Sequence, residues 1–427
     1  MQIPIDQYTL PNGLRVILSE DHTNPVVAVN LWYGVGSRNE RPGRTGLAHL
    51  FEHLMFQGSE NVPGTEHVAH VERVGGVVNG STWLDRTNYF ETVPSHRLEL
   101  ALWLESDRMG SFLPAISQEK LDGQRAVVKN ERLQRVDNAP YGDWDERLQQ
   151  MVFPPDHPYA HSVIGSMDDL DAATLDDVRD FFRTYYAPNN AVLTLCGDFD
   201  PAGARTLVER YFGPIPAGPP VPPLPGSPEP PRRIGSEVRA RVEGKVALPR
   251  IYLGFRIPPF GSDEFYTADV LAHVLAGGKS TRLYRSLVRE QRVAKDVGAA
   301  AFPLVTGATL LIVSTTGNPD TAPEALEAAL LAELEAVRSA PDLGREIERA
   351  VTGIEARHVI GLQQVSERAN DLSMYATQFG DPERINTELD RYRAVTGERV
   401  RRFALELLGA DNRAVLTYVP LAAREAA

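Results

Sequence analysis

The sequence predicts two copies of one α/β unit joined by a proline-rich connector, and three observations carry this reading. Landmarks recur at an offset of 222 to 224 residues. Pro25 and the run over 26–33 match Pro249 and the run over 250–256, and Leu47-Ala48-His49 matches Leu271-Ala272-His273. Thr174 and Val178 match Thr396 and Val400, and Ala191-Val192-Leu193-Thr194 matches Ala414-Val415-Leu416-Thr417. Between the copies, residues 214–231 read PIPAGPPVPPLPGSPEPP, which neither a helix nor a central strand tolerates. The length of 427 residues, 42% hydrophobic and 24% charged, exceeds one typical domain and suits two of about 200 residues. The expected division is a domain over 1–213, a linker over 214–234 and a second domain over 235–427.

The elements follow in order. Residues 26–33 and 250–256 read as strands. Leu47, Leu50, Phe51, Leu54 and Met55 recur as the apolar stripe of a helix, with Thr45 as its expected N-cap and Gly58 as its stop. Residues 75–82 and 87–93 read as two strands around the turn Leu84-Asp85-Arg86. Residues 117–136 read as a helix capped by Ser117, with Gln124, Val127, Val128 and Glu131 on roughly one face. The single cysteine, Cys196, falls in a strand over 191–196 and reads as a buried small hydrophobe.

The helix over 47–55 carries His49-Leu50-Phe51-Glu52-His53. Two histidines four residues apart share one helix face, and Glu52 shares it with them. Neutral imidazoles at that spacing can hold one Zn²⁺ and leave the carboxylate to take a proton from water at the metal. The order is H-x-x-E-H, the reverse of the commoner H-E-x-x-H. A catalytic site needs a third protein ligand. With Cys196 set aside that ligand is a carboxylate, and spacing leaves Glu119, Glu131 and Glu146 open.

Together with Val127-Val128-Lys129-Asn130-Glu131-Arg132, this motif resembles the pitrilysin family of inverted-zincin metallopeptidases, in the short-chain branch that includes mitochondrial processing peptidase and its bacterial relatives. Gly75 to Thr82, Asp85-Arg86-Thr87-Asn88-Tyr89 and Pro140-Tyr141-Gly142 fit the same pattern. The resemblance implies mainly antiparallel sheets flanked by helices, one Zn²⁺ per chain held by His49, His53 and Glu131, and Glu52 as general base. Gln124 stands where the family often has a second glutamate; it can hydrogen-bond a ligand but adds no charge. Asn79, Gly80, Ser81 and Thr82 fall on the strand that holds substrate in the family.

The second half keeps His273, but Ala276 and Gly277 stand in place of Glu52 and His53, so it reads as a structural and substrate-holding copy. Arg289 matches the arginine of a substrate-holding Arg/Tyr pair, whereas Lys295 or Asp296 stands where the tyrosine is expected. The resemblance implies a dimer and leaves open whether it joins two copies of this chain or is a heterodimer with a homologous chain that carries the Arg/Tyr pair. The expected activity is endopeptidase cleavage of short or unfolded polypeptides. The rival readings are an assembly subunit inactive without its partner and a zinc hydrolase of non-peptide amides.

A formal charge of −13 without a basic stripe argues against a nucleic-acid partner. No apolar run reaches the roughly 20 residues of a membrane helix, and one cysteine excludes an internal disulfide framework. The start of the sequence resembles no signal peptide, so a cytoplasmic location is expected, or a periplasmic or organellar one if a targeting segment has been removed. Gly277-Gly278-Lys279-Ser280-Thr281 lacks the leading glycine of a phosphate loop, since His273 holds that place. Glu66-His67 and His70-Glu72 offer the side chains of another metal cluster, but a solvated helix is the expected reading.

Overall fold

Six strands of the computed structural model, which describes residues 2–340 and 342–421, make the first sheet. They are β1 (Asp6–Thr9), β2 (Arg15–Glu20), β3 (Val26–Tyr33), β4 (Val77–Thr82), β5 (Thr87–Pro94) and β6 (Ala191–Gly197), in the order β1-β2-β6-β3-β5-β4. β2 and β6 run parallel, and every other neighbouring pair is antiparallel. β3 is buried from Val27 to Tyr33. Successive strand residues face opposite sides. Val27, Val29, Leu31 and Tyr33 thus enter a core shared with the helices Leu47–Met55 and Leu98–Ser111. The opposite face is covered by the helix Val365–Phe379, whose Ser373 hydroxyl lies 2.8 Å from that of Thr194 on β6.

The second sheet comprises β7 (Val238–Gly244), β8 (Arg250–Ile257), β9 (Ala294–Ala301), β10 (Thr309–Gly317) and β11 (Arg413–Pro420), in the order β7-β11-β8-β10-β9. Its one parallel pair is β7 with β11. Strand for strand this repeats β2-β6-β3-β5-β4, so the sequence offset is a repeat of topology. The matched helices Leu175–Tyr185 and Gly397–Leu407 start alike. The Thr174 hydroxyl accepts the Asp177 N–H at 3.1 Å, and the Thr396 hydroxyl accepts the Arg399 N–H at 3.3 Å. The expected α/β class, two mainly antiparallel sheets flanked by helices, is the observed one.

β8 is buried on both faces as β3 is. The helix Trp144–Val152 covers its second face: Trp144 stacks on Tyr252 with centroids 4.9 Å apart, and the Arg256 Nε donates to the Val152 carbonyl at 3.0 Å. Gly254 permits this approach, since a Cβ there would lie 2.9 Å from Leu148 Cδ1.

The compact units are therefore not the contiguous halves expected. One comprises Met1–Asn130, Ser162–Pro225 and His358–Glu388, and the other Glu131–His161, Gly226–Arg357 and Leu389–Ala427. The physical reason is that β3 and β8 are each buried on both faces, and the second face of each is covered by a helix from the other half of the sequence. Residues 216–224 of the proline-rich stretch form no helix or strand. Gly218 is fixed in this stretch by its N–H bond to Asn189 Oδ1 at 2.7 Å.

Candidate metal centre and active site

The helix Leu47–Met55 buries Leu47, Ala48, Leu50, Phe51, Leu54 and Met55, and leaves His49, Glu52 and His53 half-buried on its other face. Phe51 anchors it among Phe112, Phe181 and Tyr186, the last at a centroid distance of 4.3 Å. Its N-cap is Gly46 rather than the expected Thr45. Gly46 sits at φ +86, where a Cβ would lie 2.5 Å from the Ile164 carbonyl oxygen. The Thr45 hydroxyl instead donates to Asp169 at 2.5 Å. Gly58, at φ +101, lies beyond the C-cap Phe56 and shapes the following turn.

The helix over 117–136 is shorter than expected. It runs Gln118–Arg132 and widens into a π turn over Leu133–Asp137. Buried Val128 anchors the face that presents Glu131 three residues later. One ligand atom each from His49, His53 and Glu131 lie within 4.8 Å of one another, and the two imidazole centroids are 4.8 Å apart. Arg135 Nη1 donates to Glu131 at 2.5 Å. Of the other two glutamates that spacing left open, Glu119 is exposed in the helix's first turn and Glu146 accepts from Arg132 at 3.1 Å. Gln124 is half-buried, seven residues before Glu131.

Glu52 Oε2 accepts the Thr82 hydroxyl at 2.6 Å. A Cβ on Gly80 would lie 2.9 Å from the Phe56 ring and 3.2 Å from Glu52 Oε1, so β4 passes directly against the motif helix. Burial draws Arg86, behind this strand, down to about 10, with Glu52 opposing the shift. β4 ends the sheet order and pairs with β5 among the described residues. The Trp83 N–H donates to Arg86 across the hairpin at 2.8 Å. Counting back by twos, Ser81 and Asn79 turn their main-chain groups towards β5, whereas Thr82, Gly80 and Val78 turn theirs to the open edge. Asn79 is exposed and accepts the Gly80 N–H through its side chain at 2.9 Å; the Ser81 hydroxyl donates to Asn88 at 2.7 Å.

In the second unit Arg289 is exposed, with its guanidinium 5.5 Å from the Tyr284 ring centroid. Lys295 and Asp296 are exposed at the start of β9. The lone His273 bonds the Asp269 carbonyl through Nδ1 at 2.8 Å.

A second cluster lies where a solvated helix was expected. On the helix Glu66–Arg73, His67 is only 3% exposed. Its Nε2 lies 3.7 Å from Glu91 Oε1 and 3.8 Å from Glu105 Oε1. His67, Glu91 and Glu105 are close enough to share a metal, and a buried arginine stands beside them. Arg108 donates to Glu105 and lies over the Tyr89 ring at 4.2 Å. Burial pushes Glu91 up to about 7 and, with Arg108 adding to it, draws His67 down to about 3. Both shifts favour the neutral forms of His67 and Glu91 beside the Glu105–Arg108 pair. Sequence reading missed this cluster because its members come from two helices and a strand.

Residues 15–153 match the family model described as Insulinase (Peptidase family M16). Residues 172–353 match the one described as Peptidase M16 inactive domain. The zinc protease PqqE of Helicobacter pylori is 31% identical over 375 residues, covering 87% of this chain and 83% of that protein. The uncharacterized zinc protease YmxG of Bacillus subtilis is 24% identical over 95% of this chain and 96% of its own. Among solved structures, a protease from Helicobacter pylori superposes with a TM-score of 0.91 at 28% identity, covering 98% of this chain and 100% of that one. Two family models in tandem, together with full-length relatives, establish that this chain belongs to peptidase family M16.

Proposed function

We propose that the chain is a zinc-dependent endopeptidase that cuts short or unfolded polypeptides held extended along β4. The observation that carries this reading is the meeting of His49, His53 and Glu131 within 4.8 Å, beside a Glu52 tied by Thr82 to an open sheet edge. Two imidazole nitrogens and one carboxylate oxygen are the donor set of a three-ligand zinc site. Zinc bound there supplies a Lewis acid for the scissile carbonyl and lowers the pKa of the attacking water. The Thr82 hydroxyl orients the Glu52 carboxylate, which takes a proton from that water and returns it to the leaving amine. Main-chain groups of Val78 and Thr82 and the Gly80 carbonyl pair with the substrate backbone, so affinity comes with little demand on its sequence.

Glu52→Gln tests the reading: it keeps the shape of the side chain but cannot accept the proton. Zinc content should stay at one per chain while peptide turnover falls by about 10²–10⁴. Turnover within about threefold of wild type would remove Glu52 from the role. A second reading, in which this chain bears the zinc and a homologous chain supplies an Arg/Tyr pair, is favoured by Lys295 and Asp296 at the position of the expected tyrosine. Cleavage measured with and without a homologous chain from the same genome separates the two.

A further inference from the structure

The helix that carries the motif does not start on a cap of its own. Its N-cap is a glycine in the left-handed region with no side chain to accept a first-turn N–H, and the helix is nine residues long. So short a helix is marginal by its own propensity, yet His49 is already its third residue. Two carboxylates from elsewhere in the chain hold the start. Glu40, 5% exposed, accepts the Gly46 N–H at 2.9 Å through one oxygen and the Ala48 N–H at 2.7 Å through the other. Asp169 accepts the Thr45 N–H at 3.0 Å and the Thr45 hydroxyl at 2.5 Å. The backbone behind them is locked: a Cβ on Gly165 would lie 2.3 Å from the Gly46 nitrogen. Glu40 thus takes the place of an N-cap side chain while lying outside the helix, and its two oxygens fix two consecutive-but-one amides just ahead of the first histidine.

We propose that Glu40 is a positioning residue for the metal centre, a role that rests on the metal-site reading above. It sets the pitch of the first helical turn and thereby the direction of the His49 imidazole relative to His53 and Glu131. It touches neither substrate nor metal. Asp169 supports it by holding the preceding residue.

The test compares Glu40→Gln and Glu40→Ala with wild type in three measurements. The first is amide hydrogen exchange over 46–55 in metal-free protein. The second is zinc affinity by chelator competition, and the third is steady-state cleavage of an unstructured peptide. Loss of both acceptors in Glu40→Ala should accelerate exchange at Gly46 and Ala48 and weaken zinc by about 10–100-fold, the usual effect of removing a partner that orients a ligand. Glu40→Gln, which keeps one acceptor oxygen, should fall between the two. Once zinc is saturating, kcat should drop with KM within twofold of wild type, because β4 is untouched. If Glu40→Ala does not fold, Glu40→Gln carries the test alone. Unchanged exchange at Gly46 and Ala48 in a folded variant, or zinc affinity within twofold of wild type, would overturn the proposal. A wild-type chain that binds no zinc would refute the metal-site reading instead, and the exchange measurement would still decide whether Glu40 holds the helix.

Discussion

Replacing Glu91 by glutamine should change how stability depends on pH. Burial holds the Glu91 carboxyl up to about 7 in the folded protein, against an ordinary value of 4.5. Between those two values the folded state keeps a proton that the unfolded chain has released, so stability falls as pH rises through this window and levels off above it. Each pH unit amounts to about 1.4 kcal/mol, and a window of about 2.5 units to roughly 3 kcal/mol. His67, held down to about 3, works in the opposite sense. The unfolded chain takes a proton below about 6.5 that folded His67 refuses, so its contribution grows as pH rises. The difference between wild type and Glu91→Gln isolates the carboxyl, since glutamine is neutral at every pH and close in shape. Urea unfolding at pH 5 should give the two proteins similar stabilities. At pH 8 the variant should be the more stable by roughly 3 kcal/mol. A wild-type-to-variant difference that moves by less than about 1 kcal/mol between pH 5 and pH 8 would refute the view that folded Glu91 carries the proton.

Glu131→Gln should weaken zinc far more than Glu119→Gln or Glu146→Gln, because it removes a negative charge beside the dication; chelator competition on the three variants gives the order. Gly254→Val should destabilise the second unit by about 1–3 kcal/mol through overpacking against Leu148 and Val152. Its zinc content should stay unchanged, read by urea midpoint and metal analysis on the same sample.

Much of this molecule was legible in its residues. The H-x-x-E-H face, the strands over 26–33 and 191–196 and the hairpin around Leu84-Asp85-Arg86 are local patterns, and local patterns survive folding. The motif helix's start was misread because Thr45 has the side chain of a cap, whereas Gly46 has the conformation. Only the fold reveals that carboxylates at positions 40 and 169 take over the capping. His67 was misread for a related reason: a histidine next to glutamates on a polar helix looks solvated until β5 and the helix Leu98–Ser111 close over it. The interleaving of the two units left a trace only in β3, where Ala28 and Trp32 lie on the face away from Val27, Val29 and Leu31; β8 alternates Arg250, Tyr252 and Arg256 with apolar residues and left none. That pattern says a strand is covered on both faces but not which segment covers it.

That interleaving also bears on biosynthesis. The ribosome delivers the first sheet's last strand, β6, by residue 197, but the helix that seals its second face ends only at Phe379. At translation rates of about 5–20 residues per second, the nascent sheet waits on the order of 10–40 s with that face uncovered. The residues of the proposed metal centre, all synthesised early, thus sit on a scaffold that only later chain completes.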